Sequence, residues 1–206
     1  MRKISESTVR RLALYLQLLE ESEAAGRRTI NSDELARRGG TTAAQVRKDL
    51  SFFGSFGKRG LGYAVPSLTK HVRAILGLDR HYRVAMVGAG RIGSALARYE
   101  GFGRRGFEIV ALFDRDPEKV GTKWNGLVVR DVAHLEDDVR AEAVDIGVVV
   151  TPAAAAQEVT DRLVAGGVKA ILNFAPIRVN VPATVEIKHV NLAVELETLS
   201  YALAHR

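Results

Sequence analysis

The chain has 206 residues, 47% of them hydrophobic and 26% charged, enough to bury a sizeable core and too apolar for a disordered polymer. It has no cysteine, which excludes disulfides and thiolate metal sites, and no apolar run near the ~20 residues needed to span a bilayer. The net charge of +6 is uneven, because residues 1–79 carry 14 Lys and Arg against 8 Asp and Glu while the other 127 carry 16 of each. That asymmetry points to a polyanionic partner for the first part alone. Met1-Arg2-Lys3 followed by Ser5-Glu6-Ser7 lacks the apolar segment of a signal peptide, so a cytoplasmic protein without membrane attachment is expected.

In chain order, Ser5 to Thr8 offer N-caps for a helix whose apolar spacing runs Val9, Leu12, Ala13, Leu16, Leu19, with Gly26 as its stop. A short second helix is expected from Asn31 or Ser32, with Glu34 as capping partner and Gly39-Gly40 as its end. A third starts near Thr42, with Gln45 three residues on. Val46, Leu50 and Phe53 share one face, and Gln45, Arg47, Lys48 and Ser51 are left to point outward. Two short helices joined by a Gly-containing turn, the second basic in its first turns, form a helix-turn-helix pattern suited to the major groove. Phe56 to Tyr63 then reads as a hairpin whose glycine-rich tip presents Lys58 and Arg59, a wing that suits the minor groove. Val65-Pro66-Ser67 opens a helix that ends at Gly77, and a domain boundary is expected at about residue 79.

Past that boundary, Arg83 to Val87 reads as a buried strand that breaks at Gly88-Ala89-Gly90-Arg91-Ile92-Gly93, the GxGxxG spacing of a dinucleotide-binding turn. A second strand, Phe107 to Phe113, ends on Asp114, 21 residues past the last glycine, where a carboxylate would hold an adenosine ribose. A carboxylate there favours NAD over NADP, while Arg115 beside it is a residue type that can accommodate a 2′-phosphate. Arg115 to Gly121 is expected as a loop and short helix, Leu127 to Val129 as a strand and Val132 to Arg140 as a helix. Asp145 to Val150 and Ala170 to Phe174 read as strands flanking an alanine-rich helix. Alternation of this length predicts an α/β, doubly wound parallel sheet of Rossmann type, residues 80–190. Ligands on such sheets sit at the carboxyl ends of the strands, which would gather Gly88–Gly93, Asp114, Thr151-Pro152 and Asn173-Phe174-Ala175-Pro176 around one cleft. Tyr99, ending the first helix of this sheet, suits the core as well as the cleft.

After a strand over Val185 to Val190, residues 191–206 form a helix with apolar Leu192, Leu196, Leu199 and Leu203. Packing on its own sheet and packing on a partner subunit both suit it. The five histidines are scattered, none at a strand end in the cleft, and neither paired carboxylates, a nucleophile motif nor metal-ligand spacing is present. A dehydrogenase would need a second-substrate site and an acid or base beside the nicotinamide, so a regulator is expected rather than an enzyme. Two alternatives stand beside it, a small NAD-dependent oxidoreductase and a helix-turn-helix regulator that responds to another adenine nucleotide such as coenzyme A.

The run Gln45-Val46-Arg47-Lys48-Asp49-Leu50-Ser51, with Gly60-Leu61-Gly62-Tyr63, Val87-Gly88-Ala89-Gly90-Arg91-Ile92-Gly93 and Leu172-Asn173-Phe174-Ala175-Pro176, resembles the Rex redox-sensing transcriptional repressors along essentially the whole chain. The resemblance implies a homodimer with a winged-helix DNA-binding domain, a Rossmann domain and a C-terminal helix swapped between subunits. It implies binding to a palindromic operator when NAD⁺ is abundant and release by NADH. It implies DNA contacts from Arg47, Lys48 and Arg59, with Thr42, Gln45, Ser51 and Lys58 beside them. Gly88, Gly90 and Gly93 would hold the pyrophosphate and Asp114 the ribose, with Tyr99 and Asn173–Pro176 near the nicotinamide. Some members pair an arginine in the first helix with an aspartate before the last, followed by phenylalanine. Gln17, Asn191 and Leu192 stand there in this chain, so an ionic pair is replaced by two amides.

Overall fold

The computed structural model describes residues 4–58 and 61–205. It divides into two compact units, Met1–Arg80 and His81–Arg206. In the first, α1 (Glu6–Ala24) starts where the Ser5 hydroxyl accepts the Thr8 N–H at 3.2 Å. It ends before Gly26, whose φ of +73° a side chain would strain. Its Leu12, Leu16 and Leu19 are buried with Tyr15 against α4 (Val65–Ile75), which carries Pro66 in its first turn. Between them, α2 (Ser32–Arg38) and α3 (Ala43–Ser51) are capped by Asn31 and Thr42, whose side chains accept the N–H groups of Glu34 and Gln45.

The reciprocal halves of those two caps do not form. Glu34 turns to Arg27, and the Gln45 amide turns to Asp49. The hairpin is present as β2 (Gly57–Lys58) and β3 (Gly62–Ala64), antiparallel, and a strand too short for any periodicity, β1 (Thr29–Ile30), pairs with the far edge of β3. Arg59 and Gly60, at the tip, lie outside the described residues.

The second unit is a seven-stranded sheet over β4 (Tyr82–Val87), β5 (Phe107–Asp114), β6 (Lys123–Trp124), β7 (Leu127–Asp131), β8 (Ile146–Val149), β9 (Ala170–Asn173) and β10 (Glu186–His189). Its order is β10-β9-β8-β4-β5-β7-β6, parallel except where β6 turns back on β7. Chain order reverses between β4 and β8, the switch point at which such sheets bind ligands. Both faces are covered: Ala85 and Val87 belong to the core under α7 (Leu135–Ala141) and α8 (Ala153–Ala165). Their neighbours Val84 and Met86 belong to the core on the opposite face, with Ala97 of α5 (Arg91–Ala97). That is why these strands read as unbroken apolar runs.

Two expectations are corrected here, and one reading left open is decided. Arg115 to Gly121 forms turns and no helix, because Pro117 follows Asp116, whose side chain accepts the Glu118 N–H at 3.1 Å. The helix expected from Val132 begins as a 3₁₀ turn and becomes α7 only at Leu135. α9 (Leu192–Ala204) does not pack on the sheet: every residue from Asn191 to His205 is exposed, Leu196 at 67% and Tyr201 at 66%. The short α6 (Gly101–Arg104) was not foreseen. No helix among the described residues is long and apolar enough to cross a membrane.

Candidate functional site

A cleft of about 930 Å³ opens at the switch point of the second unit. Its floor is the turn after β4, where three glycines do three different jobs. Gly88 sits at φ +113°, and a Cβ there would lie 2.6 Å from the carbonyl oxygen of Val150, so the ends of β4 and β8 can approach only without a side chain. A Cβ on Gly93 would overlap the carbonyl oxygen of Gly88, so α5 can rest on the turn only through glycine. A Cβ on Gly90 would meet nothing within 4 Å. Two glycines therefore serve the fold, and the middle one faces open space where a ligand's phosphates would approach. The first N–H groups of α5, which begin at Arg91, lack partners inside that helix, and Arg91 and Ile92 line the cleft.

At one side Asp114 closes β5 with its side chain only 11% exposed. Its Oδ2 accepts the Ala89 N–H at 2.7 Å and its Oδ1 accepts the Asp116 N–H at 2.9 Å, while Lys119 Nζ lies 3.4 Å from Oδ2. A carboxylate has about four acceptor sites, so it can still take a hydrogen bond from a ribose hydroxyl. Lys119 also pairs with Asp116 at 3.2 Å, and those contacts raise its pKa. On the far side, after β8, the Thr151 hydroxyl is buried and has no hydrogen-bond partner among the described residues. An orphaned buried hydroxyl costs stability unless something supplies its partner, which makes Thr151 a ligand contact in waiting. An open pyrophosphate space, a ribose carboxylate and an unpaired hydroxyl across one crevice fit a dinucleotide.

The cleft thus brings together Gly88, Gly90, Arg91, Ile92, Asp114, Thr151 and Pro152. Ala89 and Gly93 lie buried beneath it. Tyr99 does not line it; 60% exposed, it packs edge-on to Phe102 at 5.1 Å and is no core residue. Asn173 is fully buried: its Nδ2 donates to the Ile177 carbonyl at 2.8 Å and its Oδ1 accepts the Ala175 N–H at 2.9 Å. Its amide shapes the loop in which Ala175 is buried, Phe174 half-buried and Pro176 exposed. His189 ends β10 with Nδ1 3.1 Å from the Asn173 Nδ2, a strand-end histidine that the scatter of histidines in the sequence concealed. Arg115, beside Asp114, lines the cleft too, as do Lys119, Val132, Glu158 and Arg162, of which spacing alone gave no sign. Among the described residues no cluster of His, Asp or Glu could hold a metal ion.

The outward face of the first unit is α3. Thr42, Arg47, Lys48 and Ser51 are exposed there, while Gln45 is half-buried. Arg47 Nη1 donates to the Ser32 hydroxyl at 2.8 Å, and Ser51 donates to the Lys48 carbonyl. Behind this face Asp49 is fully buried and accepts a fork from Arg11, Nε at 2.6 Å and Nη2 at 2.8 Å, with Tyr15 Oη at 3.1 Å and Gln45 Nε2 at 2.8 Å. Burial pushes the Asp49 carboxyl up, but the bonds from Arg11, Gln45 and Tyr15 outweigh it and hold its pKa below the usual range. Burial and then the neighbouring carboxylate push the Tyr15 phenol up to about 12. This ion pair ties α3 to α1. The Gln17 side chain donates to Glu21 on its own helix, Asn191 caps α9 through the Ala193 N–H, and Leu192 is exposed.

Residues 79–177 match the family "CoA binding domain", and residues 3–51 match the family "Putative DNA-binding protein N-terminus". The chain is 46% identical to the redox-sensing transcriptional repressor Rex of Desulfitobacterium hafniense over 99% of its length and 97% of that protein's. It is 48% identical to Rex of Carboxydothermus hydrogenoformans over 97% and 96%. Among solved structures it resembles RSP in complex with β-NAD⁺ and operator DNA, with a TM-score of 0.93 at 40% identity, covering 98% of this chain and 94% of that one. It also resembles RSP in complex with β-NADH, with a TM-score of 0.91 at 39% identity, covering 98% and 95%.

Proposed function

This chain belongs to the Rex family of redox-sensing transcriptional repressors, and we propose that it binds operator DNA through its first unit and lets go when NADH fills the cleft of its second. The observation that carries this is the pairing, in one chain, of a basic helix-turn-helix face with a dinucleotide cleft whose middle glycine, Asp114 and Thr151 are all free to meet a ligand. Residues 1–79 are the DNA-binding domain and 80–190 the NAD(H)-binding domain. Arg47 and Lys48 contact base edges, with Thr42, Gln45 and Ser51 beside them, and Lys58 and Arg59 of the wing reach the minor groove. The turn shaped by Gly88 and Gly93 offers the pyrophosphate its place at Gly90, and Asp114 holds the adenosine ribose, while Thr151 and Pro152 face the nicotinamide half. A relative's complex with β-NAD⁺ and operator DNA, beside its complex with β-NADH, supports a dinucleotide effector over coenzyme A.

When bound, the nicotinamide supplies no turnover here; its redox state sets only how well it fits. The protein acts as a regulator in the compartment that holds the DNA. NADH can expel DNA only by binding the non-DNA arrangement more tightly than the DNA arrangement. Residues 191–206 form a dimerisation helix exchanged with a second subunit: its large apolar side chains are exposed in one chain, and a palindrome calls for two copies of the reader. The division of labour is tested by two variants. Asp114→Ala weakens NADH and NAD⁺ alike, and Arg59→Ala weakens operator binding with NADH affinity unchanged, both measured by titration calorimetry and DNA anisotropy. Loss of NADH binding in Arg59→Ala would overturn it.

A further inference from the structure

The fork between Arg11 and Asp49 has a consequence one residue further out, at Gln45. Asp49 lies one turn along α3 from Gln45 and takes a hydrogen bond from the Gln45 Nε2 at 2.8 Å. An ionised carboxylate only accepts hydrogen bonds, so the amide has a single way round: nitrogen inward, oxygen outward. The carboxylate cannot turn aside, because Arg11 grips both of its oxygens and Tyr15 donates to one of them. Among the described residues, the Gln45 Oε1 has no partner, and it is not shut away from solvent. Gln45 is the third residue of α3, in the N-terminal turn that approaches base edges in helix-turn-helix proteins.

In the major groove adenine and cytosine present an exocyclic amino donor, while guanine and thymine present carbonyl acceptors. An outward amide oxygen attracts the first pair and repels the second. The Nε2 hydrogen not given to Asp49 lies beside Oε1 and suits adenine N7, so adenine gains two bonds and cytosine one. We infer that Gln45 reads the operator as an acceptor, selecting adenine first and cytosine second on the strand it faces, with Asp49 and Arg11 as the positioning residues that fix its amide. The inference rests on the proposed DNA-binding role and adds the base class read by one side chain.

The test uses the full chain at fixed salt, on duplexes selected from a random pool and then varied one base pair at a time across each half-site. The wild type is expected to show one position per half-site where adenine exceeds guanine and thymine on the order of tenfold. Gln45→Ala, a truncation at the surface, flattens that position and leaves the other preferences standing. Asp49→Asn, whose amide can donate as well as accept, frees Gln45 to invert and relaxes the same position, with NADH affinity reporting that the second unit is intact. If Asp49→Asn fails to fold, the Gln45→Ala profile decides alone. Specific binding with an unchanged profile in Gln45→Ala, or a flattened position that had preferred a G·C pair in either orientation, overturns the inference alone. A wild type indifferent to sequence overturns the DNA-binding role itself.

Discussion

The two units build their binding surfaces from opposite materials. In the first, side chains do the positioning: a buried ion pair, Arg11 with Asp49, sets the face that α3 presents. In the second, the backbone does it: the turn after β4 owes its shape to the absence of Cβ atoms at Gly88 and Gly93, and side chains such as Asp114 and Thr151 add their chemistry around it. The first surface should therefore be sensitive to charge and pH, and the second to added volume. The effector is recognised by a frame built from backbone, while the reader of a polyanion depends on a buried charge.

The largest effect is expected on the charge side. Arg11→Ala leaves the Asp49 carboxylate buried and unpaired, a loss on the order of 3–5 kcal/mol, read by denaturant unfolding of the first unit. A change under 1 kcal/mol would show that the ion pair does not fix α3. Next comes volume on the other side. Gly93→Ala should cost roughly 1–3 kcal/mol through overlap with the Gly88 carbonyl and abolish NADH binding. Gly90→Ala meets nothing and should leave stability within about 0.5 kcal/mol while lowering NADH affinity about tenfold or more. Equal damage to stability from both would contradict the separate roles of the two glycines.

pH sharpens the same contrast. The folded pKa of Tyr15 lies at about 12, above its unfolded value near 10. Its contribution is complete below about pH 10 and lost as pH rises from there to about 12. The folded pKa of Asp49 is depressed, so its contribution is complete above about pH 4 and lost as pH falls below that. Tyrosinate absorbance and circular dichroism should show the first unit failing at both extremes. The smallest effect is at Thr151. Thr151→Val removes an orphaned hydroxyl, so the free protein should gain about 1 kcal/mol while NADH affinity falls several-fold. A fall in both would mean that Thr151 serves the fold rather than the ligand.

Much of this was legible in the sequence because it is local. Caps at Ser5, Asn31 and Thr42, stops at Gly26 and Gly77, and the spacing from Gly88 to Asp114 are each decided within a few turns or one strand-helix unit. Contacts across long separations were not legible. Arg11 and Asp49 are 38 residues apart, and nothing in either neighbourhood marks the pair. Glu158 and Arg162 line the cleft from α8, whose many alanines give little periodicity to say which side faces inward. Asn173 stands at the expected strand end, yet burial turns its amide to the loop, and no local pattern distinguishes that from a side chain facing a ligand. Two-residue strands such as β1 and β6 are specified by their partners rather than by their own residues.

The most direct test measures binding of the full chain to a palindromic operator at fixed salt, titrated with NAD⁺ in one series and NADH in the other. Fixed salt keeps the sequence-independent attraction of a basic surface constant between them. The account predicts that NADH releases the operator at concentrations where NAD⁺ leaves it bound. Specific binding that responds equally to both nucleotides, or to neither, would contradict it.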